Sequence, residues 1–377
     1  MKILFIAHEN QLGGASRSLL GLIDGLKSDE SYEIDVLIKR TKENKLSEQL
    51  KSRDISYMEL PFFWSKTNSN RKILNLLKEF FNLIVAIIFS IKKRRVKYDV
   101  IHTNSSVLNI GFYISTIKKT KHILHVREFG DLDFNLKPTL PAYIYKKLTN
   151  GRKNKNIFIS ESIFKHYLSL FNNQGVVIYN GIDSYVAKRD IKVELCNILI
   201  SGTIIRNKGH ETAIRAVNLI IKRNSLNNVK LIIAGKGDES FIDELHSYIV
   251  ANELENNINF IGYVEDMRKL RESIDIELVC SKAEAFGRVT VEAMIAGVVV
   301  VASNTGANKE LVNDKETGLI YEYNSVEDLA DKISLVINDS KLASKLSVAG
   351  MKHAKNKFSL SQTVLKVKEV YKDISNG

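Results

Sequence analysis

Short apolar runs alternating with stretches of helical spacing constrain this chain more than any other feature. In the first half the runs are Lys2–Ala7, Glu33–Ile38, Ile55–Met58, Val100–His102, His122–Val126, Ile157–Ile159 and Val176–Ile178. In the second half they are Asn197–Ser201, Lys230–Ala234, Asn259–Ile261, Ile276–Cys280, Val298–Ala302 and Leu319–Tyr321. Strands that alternate with helices signal an α/β architecture with parallel sheets. A chain of 377 residues exceeds the size at which single cores stop growing, so two successive doubly wound domains are expected. Function is then expected at the carboxyl ends of their strands. The boundary is predicted at Asn180-Gly-Ile-Asp183, where a turn-forming Asn-Gly ends the seventh strand, and the charged segment Lys188–Glu194 leads onward.

Charge is distributed unevenly. Residues 1–180 carry 29 Lys and Arg against 16 Asp and Glu, whereas residues 181–377 carry 26 against 27. The basic excess therefore belongs wholly to the first half, which suits nucleic acid, anionic lipid or a phosphorylated acceptor. Cys196 and Cys280 both lie in apolar runs and read as buried, reduced thiols rather than a disulfide framework or metal site. Met1–Ala7 reads as a buried strand and not a signal peptide, which makes the cytoplasm the expected compartment.

A helix is expected over Ile73–Ile91, nearly all apolar from Phe80 onward and followed by Lys92-Lys-Arg-Arg95 and Lys97. About 18 apolar residues are needed to span a bilayer, so a transmembrane helix is not expected. Two readings stand. One is a buried domain helix whose basic end complements its dipole; the other is an interfacial helix whose basic end meets anionic lipid headgroups. Little aromatic interleaving accompanies the basic run, so nucleic acid is not an expected partner.

Chemistry concentrates in Glu284-Ala-Phe-Gly-Arg-Val-Thr-Val-Glu292, two carboxylates on either side of a Phe-Gly turn. The turn joins the strand ending at Ser281 to an apolar helix expected over Val291–Gly297. A helix N-terminus favours an anion, typically a phosphate. Carboxylates beside a phosphate site make sense where the phosphate belongs to a molecule rich in hydroxyls, such as a nucleotide sugar. Taken alone, Glu292 could equally be a first-turn acid that offsets the helix dipole.

Phe286-Gly287, the Glu292-Ala-Met continuation, Gly297 and the following Val run resemble the retaining glycosyltransferases of family 4, which have the GT-B fold. The resemblance implies two Rossmann-like domains facing a central cleft. Residues 1–183 would bind acceptor and residues 190–357 donor, with the last helix, from residue 358 to 377, packed back on the first domain. It further implies that Glu284 hydrogen-bonds the donor sugar and Glu292 the ribose. In Ser201-Gly-Thr-Ile-Ile-Arg-Asn-Lys-Gly209, Lys208 inherits the role of binding the diphosphate. Thr203 stands where the family often has Arg, and Arg206 is expected to supply that charge. Phe286, Gly287, Arg288 and Val289 would line the donor phosphate at the helix start. Gly262 and Val264 lie in Asn259–Val264, similar to the segment whose backbone holds the base.

Gly13-Gly14 after the first strand lets backbone approach phosphate and acceptor, with Ser16 where the family often carries Glu. In Ile123-Leu-His-Val-Arg-Glu-Phe-Gly130, Arg127 occupies the strand-end position at which the family usually places a His. His125 lies two residues earlier on the same face. Which of the two approaches the sugar stays open. His102 ends its own strand at another position frequent in the family. Asp131-Leu-Asp133 reads as loop acids rather than a metal motif.

The expected activity is retaining transfer from a nucleotide diphosphate sugar, most readily a UDP-sugar, to a glycan acceptor, best matched by a lipid-linked intermediate in surface-polysaccharide assembly. Glu284, Lys208, His125 and Arg127 are the catalytic candidates, and Gly13, Ser16, His102 and Arg127 those for the acceptor. No cofactor or metal is expected, because fixed cations can stabilise the departing diphosphate. An anionic membrane surface, at the inner face of the cell membrane, is the other expected partner. Two alternatives are a GT-B sugar-nucleotide epimerase and an inactive partner subunit of another transferase.

Overall fold

The computed structural model describes residues 1–151, 153–172, 175–183, 185, 197–224 and 228–376. Lys188–Glu194 and Cys196 lie outside them. The chain divides into two compact units, Met1–Asp183 with Leu360–Gly377, and Ser184–Ser359.

The first unit contains β1 (Lys2–Ala7), β2 (Glu33–Lys39), β3 (Ser56–Leu60), β4 (Lys66–Thr67), β5 (Val100–Thr103), β6 (Lys121–Val126), β7 (Lys137–Pro138), β8 (Asn154–Phe158) and β9 (Val176–Val177). Seven of these form one parallel sheet in the order β3-β2-β1-β5-β6-β8-β9, while β4 and β7 pair separately and antiparallel. Successive side chains of a strand point to opposite faces. Ile3, Phe5 and Ala7 therefore join one apolar cluster, while Leu4 and Ile6 join the other. The first cluster is closed by Leu19, Leu22, Ile23 and Leu26 of the helix Gly14–Lys27 and by Val364, Val367, Tyr371 and Ile374 of the last helix, Leu360–Asn376.

The second unit contains β10 (Asn197–Ser201), β11 (Lys230–Ala234), β12 (Ile258–Gly262), β13 (Ile276–Val279), β14 (Val299–Ser303) and β15 (Leu319–Tyr321). They form one parallel sheet in the order β12-β11-β10-β13-β14-β15. All thirteen expected runs are strands, with ends shifted by a residue or a few. The two-residue strands β4 and β7 are too short to leave a periodic signal.

Two expected elements differ. The helix placed at Val291–Gly297 spans Arg288–Ile295, because Gly287 in the left-handed region is its N-cap and polar Arg288 and Thr290 fill its first turn. The apolar pattern begins only at Val291 and hides that start. Asp131 and Asp133 are not loop acids but lie in a short helix, Asp131–Phe134. Asp133 there accepts from the amides of Phe129 at 3.0 Å and Gly130 at 2.7 Å.

Candidate active site

In the second unit the strand order reverses between β10 and β13. A parallel sheet leaves a crevice at such a reversal, because the connections depart to opposite faces. The loop after β10 carries Lys208 and the loop after β13 carries Glu284. Their side chains meet, with Lys208 Nζ 3.0 Å from Glu284 Oε2, although the residues are 76 positions apart. Backbone contacts fix both loops. Lys282 N donates to Asn207 O at 2.8 Å, and Gly209 turns at φ 74° where a Cβ would fall 2.3 Å from Cys280 O. Ala307 N donates to Glu284 O at 2.8 Å, and Gly306, at φ 51°, passes so close that a Cβ would lie 2.3 Å from that same oxygen.

Glu292 is held by two arginines. Arg288 Nη2 donates to one carboxylate oxygen and Arg271 Nη1 to the other, each at 3.2 Å. Arg271 is 2% exposed and also donates through Nε and Nη2 to Glu277 at 2.7 and 3.1 Å. Glu277 is fully buried and accepts a further bond from Ser201 Oγ at 2.7 Å. Burial alone would lower the Arg271 pKa, but Glu277 and Glu292 outweigh it and raise the value above its ordinary one. Arg271 and Glu277 were not among the residues that the sequence singled out. The available signal was one acid inside the apolar run Ile276–Cys280, six residues after an arginine.

The remaining donor candidates are dispersed around this pair. Arg206 is engaged elsewhere: it ion-pairs with Glu244 and stacks 4.8 Å from the Phe241 ring, mostly exposed. Thr203 is exposed in the same loop. Gly262 O accepts from Gly235 N at 2.8 Å, which joins the end of β12 to the turn after β11, and Val264 is half-buried just beyond. Phe286 is buried against Phe358, ring centroids 6.0 Å apart. Gly287 caps the helix on whose first turn Arg288 and half-buried Val289 lie.

In the first unit the order reverses between β1 and β5. Gly13 is the N-cap and Gly14 the first residue of the helix after β1. Buried Ser16 donates to Glu9 Oε1 at 3.2 Å, which brings a carboxylate to that helix start. His102, His125 and Arg127 come together on one face. Arg127 donates to Asn104 at 2.9 Å and to Asn180 at 2.5 Å, and its Nη2 lies 3.2 Å from His125 Nδ1. His102 Nε2 lies 3.1 Å from that same Nδ1, and His102 Nδ1 lies 2.7 Å from the Tyr371 hydroxyl.

These contacts assign the protons. A guanidinium only donates, so His125 Nδ1 accepts, which places the His125 proton on Nε2. His102 Nε2 then donates to His125, and Tyr371 donates to His102. His125 Nε2 is buried with no partner among the described residues. Burial first, then Arg127, lowers both imidazole pKa values well below 6.5, helped by His122 at His102 and by His102 at His125, and keeps them neutral.

Buried His122 is likewise held down to about 3 by burial, and His210 to about 4 by burial and Lys208. Such groups bind protons in the unfolded chain first. Their contribution is intact above pH 6.5 and is lost as the pH falls toward the folded values. At pH 5 each costs about 2 kcal/mol, at 1.36 kcal/mol per pH unit. We therefore expect denaturant unfolding to show several kcal/mol less stability at pH 5.0 than at 7.5, and His122→Asn to reduce that difference. Equal stability at both pH values would exclude neutral, buried imidazoles.

Residues 182–353 match the family model described as "Glycosyl transferases group 1". Over 282 residues the chain is 27% identical to an uncharacterized glycosyltransferase of Methanocaldococcus jannaschii, covering 74% of this chain and 76% of that one. Over 161 residues it is 32% identical to the capsular polysaccharide biosynthesis glycosyltransferase CapM of Staphylococcus aureus, covering 42% and 41%. Among solved structures, Anabaena HepE in complex with UDP superposes with a TM-score of 0.81 at 20% identity, covering 99% of this chain and 100% of that one. Residues 182–353 thus carry a glycosyltransferase group 1 domain, in a chain with the fold of the GT-B glycosyltransferases.

Proposed function

We propose that the chain transfers a sugar, with retention of configuration, from a UDP-sugar to a lipid-linked glycan at the cytoplasmic face of a membrane during surface-polysaccharide assembly. The observation that carries this reading is the Lys208–Glu284 pair at the strand reversal of the second unit. A diphosphate there would draw the Lys208 ammonium and free the Glu284 carboxylate to accept from sugar hydroxyls. Helix geometry leaves first-turn amides without intrahelical acceptors, so the start of Arg288–Ile295 adds positive potential for the same phosphates. Glu292, fixed by Arg271 and Arg288, would accept from the ribose hydroxyls. Charge that develops on the leaving diphosphate is then met by fixed protein groups, and no metal is assigned a role. On the acceptor side, His125 Nε2–H is a neutral donor, whereas Arg127 is already committed to Asn104 and Asn180. Of the two, His125 is therefore the group proposed for the acceptor side, with the Gly13–Ser16 segment and His102 supporting it. The UDP complex of HepE and the capsular role in the name of CapM support the donor and the pathway class.

The test incubates purified protein with a panel of nucleotide sugars, with and without a membrane lipid extract, in buffer containing EDTA. The expected result is acceptor-dependent release of UDP from one donor, with an α-linked product from an α-configured donor. Epimerised donor formed without acceptor, or no turnover of any donor, would overturn the reading.

A further inference from the structure

The helix Lys72–Lys92 is amphipathic in the sense opposite to that of a water-facing helix. Its buried face holds Asn75, Glu79 and Asn82 beside Val85, Ala86 and Phe89. Each of the three polar residues is bonded within the first unit. Asn82 exchanges bonds of 2.8 and 3.1 Å with the backbone of Phe63, Asn75 donates to Ser69 O at 3.1 Å, and Glu79 accepts from Tyr113 at 2.6 Å and Asn109 at 3.3 Å. The outward face instead carries eleven large exposed apolar side chains, from Ile73 at 78% and Phe80 at 61% to Ile91 at 60%. Phe63, exposed and packed edge-on against Phe81 at 5.3 Å, extends that face. Soluble monomers rarely expose contiguous apolar patches above a few hundred Å².

Charge says what covers this face. Between Arg71 and Lys97 the single acid is Glu79, and it is buried. Arg71 and Lys72 stand exposed at one end of the helix, and Lys92, Arg94, Arg95 and Lys97 at the other. A wide apolar stripe between exposed basic ends, with no exposed acid, matches the boundary between anionic headgroups and acyl chains. A second copy of this face would instead bring like charges together. The helix is long and apolar enough to cross a bilayer by length and composition. Its polar face is nevertheless tied to Phe63, Ser69, Asn109 and Tyr113, so it lies along the surface and does not cross.

We infer that the outward face of Lys72–Lys92 docks the first unit in the plane of an anionic lipid bilayer. This deepens the membrane part of the proposed function, and its test contains neither donor nor acceptor, so it stands or falls separately from transferase activity.

The experiment is flotation of the full chain with vesicles of phosphatidylcholine alone or with about 30% phosphatidylglycerol, an anionic content chosen to attract polybasic segments. The chain has one tryptophan, Trp64, next in sequence to the Phe63 that packs on Phe81, so its fluorescence is a second readout beside flotation. Anionic vesicles should bind about tenfold or more tighter than neutral ones, with a blue shift of Trp64 emission. The variant Leu77→Gln/Phe80→Gln/Ile84→Gln, altered only at exposed positions, should keep the parent's circular dichroism and thermal midpoint and lose about tenfold or more of that binding. Lys92→Gln/Arg94→Gln/Arg95→Gln should lose the preference for anionic lipid. The inference is overturned if the parent binds neither vesicle, or if the apolar variant binds as the parent does. It is equally overturned if the parent is a dimer that the apolar variant dissociates.

Discussion

Lys208→Ala is expected to lower kcat/KM for sugar transfer by about 10²–10³-fold, the usual cost of removing one preorganised group from a developing oxyanion. The loss should fall mainly on kcat, because the diphosphate gains charge only as the glycosidic bond breaks. Glu284→Ala should produce a loss of similar size that depends on the sugar, since that carboxylate is proposed to accept from sugar hydroxyls. Binding of free UDP should weaken far less in Glu284→Ala than in Lys208→Ala. Because the side chains touch at 3.0 Å, their effects should not add: the double variant should be little worse than the poorer single one. Steady-state kinetics on the four proteins, with UDP titrations beside them, make the comparison. Full donor turnover in the double variant would refute the proposed site.

Arg271→Met should unfold the second unit most readily of any single change described above. It leaves Glu277, with no exposed surface, facing the Ser201 hydroxyl as its remaining hydrogen-bond partner among the described residues. Breaking a buried ion pair from one side typically costs about 3–5 kcal/mol, because the remaining charge has lost its compensation. For a unit of this size each kcal/mol lowers Tm by about 2–4 °C. Arg271→Met combined with Glu277→Leu should recover most of the loss, since apolar replacement of a whole buried pair is often nearly neutral. Even in that recovered protein Glu292 lacks its Arg271 partner, so UDP affinity should remain reduced. Calorimetry separates the first effect and UDP titration the second. A single variant as stable as the parent would show that the pair carries no such burden.

The strands could be read from the sequence because parallel sheets require short apolar runs, and every expected run proved to be one. Lys208 and Glu284 were legible as residue types in motifs, but their contact was not. It depends on β10 and β13 being sheet neighbours, which chain order does not reveal. The Arg271–Glu277 pair was hidden for the opposite reason. Glu277 looks like an interruption of an apolar strand until the arginine that neutralises it is placed beside it. Arg206 shows the converse limit: its charge suits phosphate, yet Glu244 and the Phe241 ring hold it on the neighbouring helix. The tautomer of His125 could not be read at all without the positions of His102, Arg127 and Tyr371.

The last helix, Leu360–Asn376, has a consequence for how the protein is made. Val364, Val367, Tyr371 and Ile374 complete an apolar cluster founded by Ile3, Phe5 and Leu19. Synthesis runs from the amino end, and domains usually close as they emerge. Here the first unit waits for a helix that is made only after the whole of the second unit, which can already be folded. The first unit therefore keeps one side of its sheet only partly covered until the second unit has been made, and the hydroxyl that orients His102 arrives 269 residues after the imidazole.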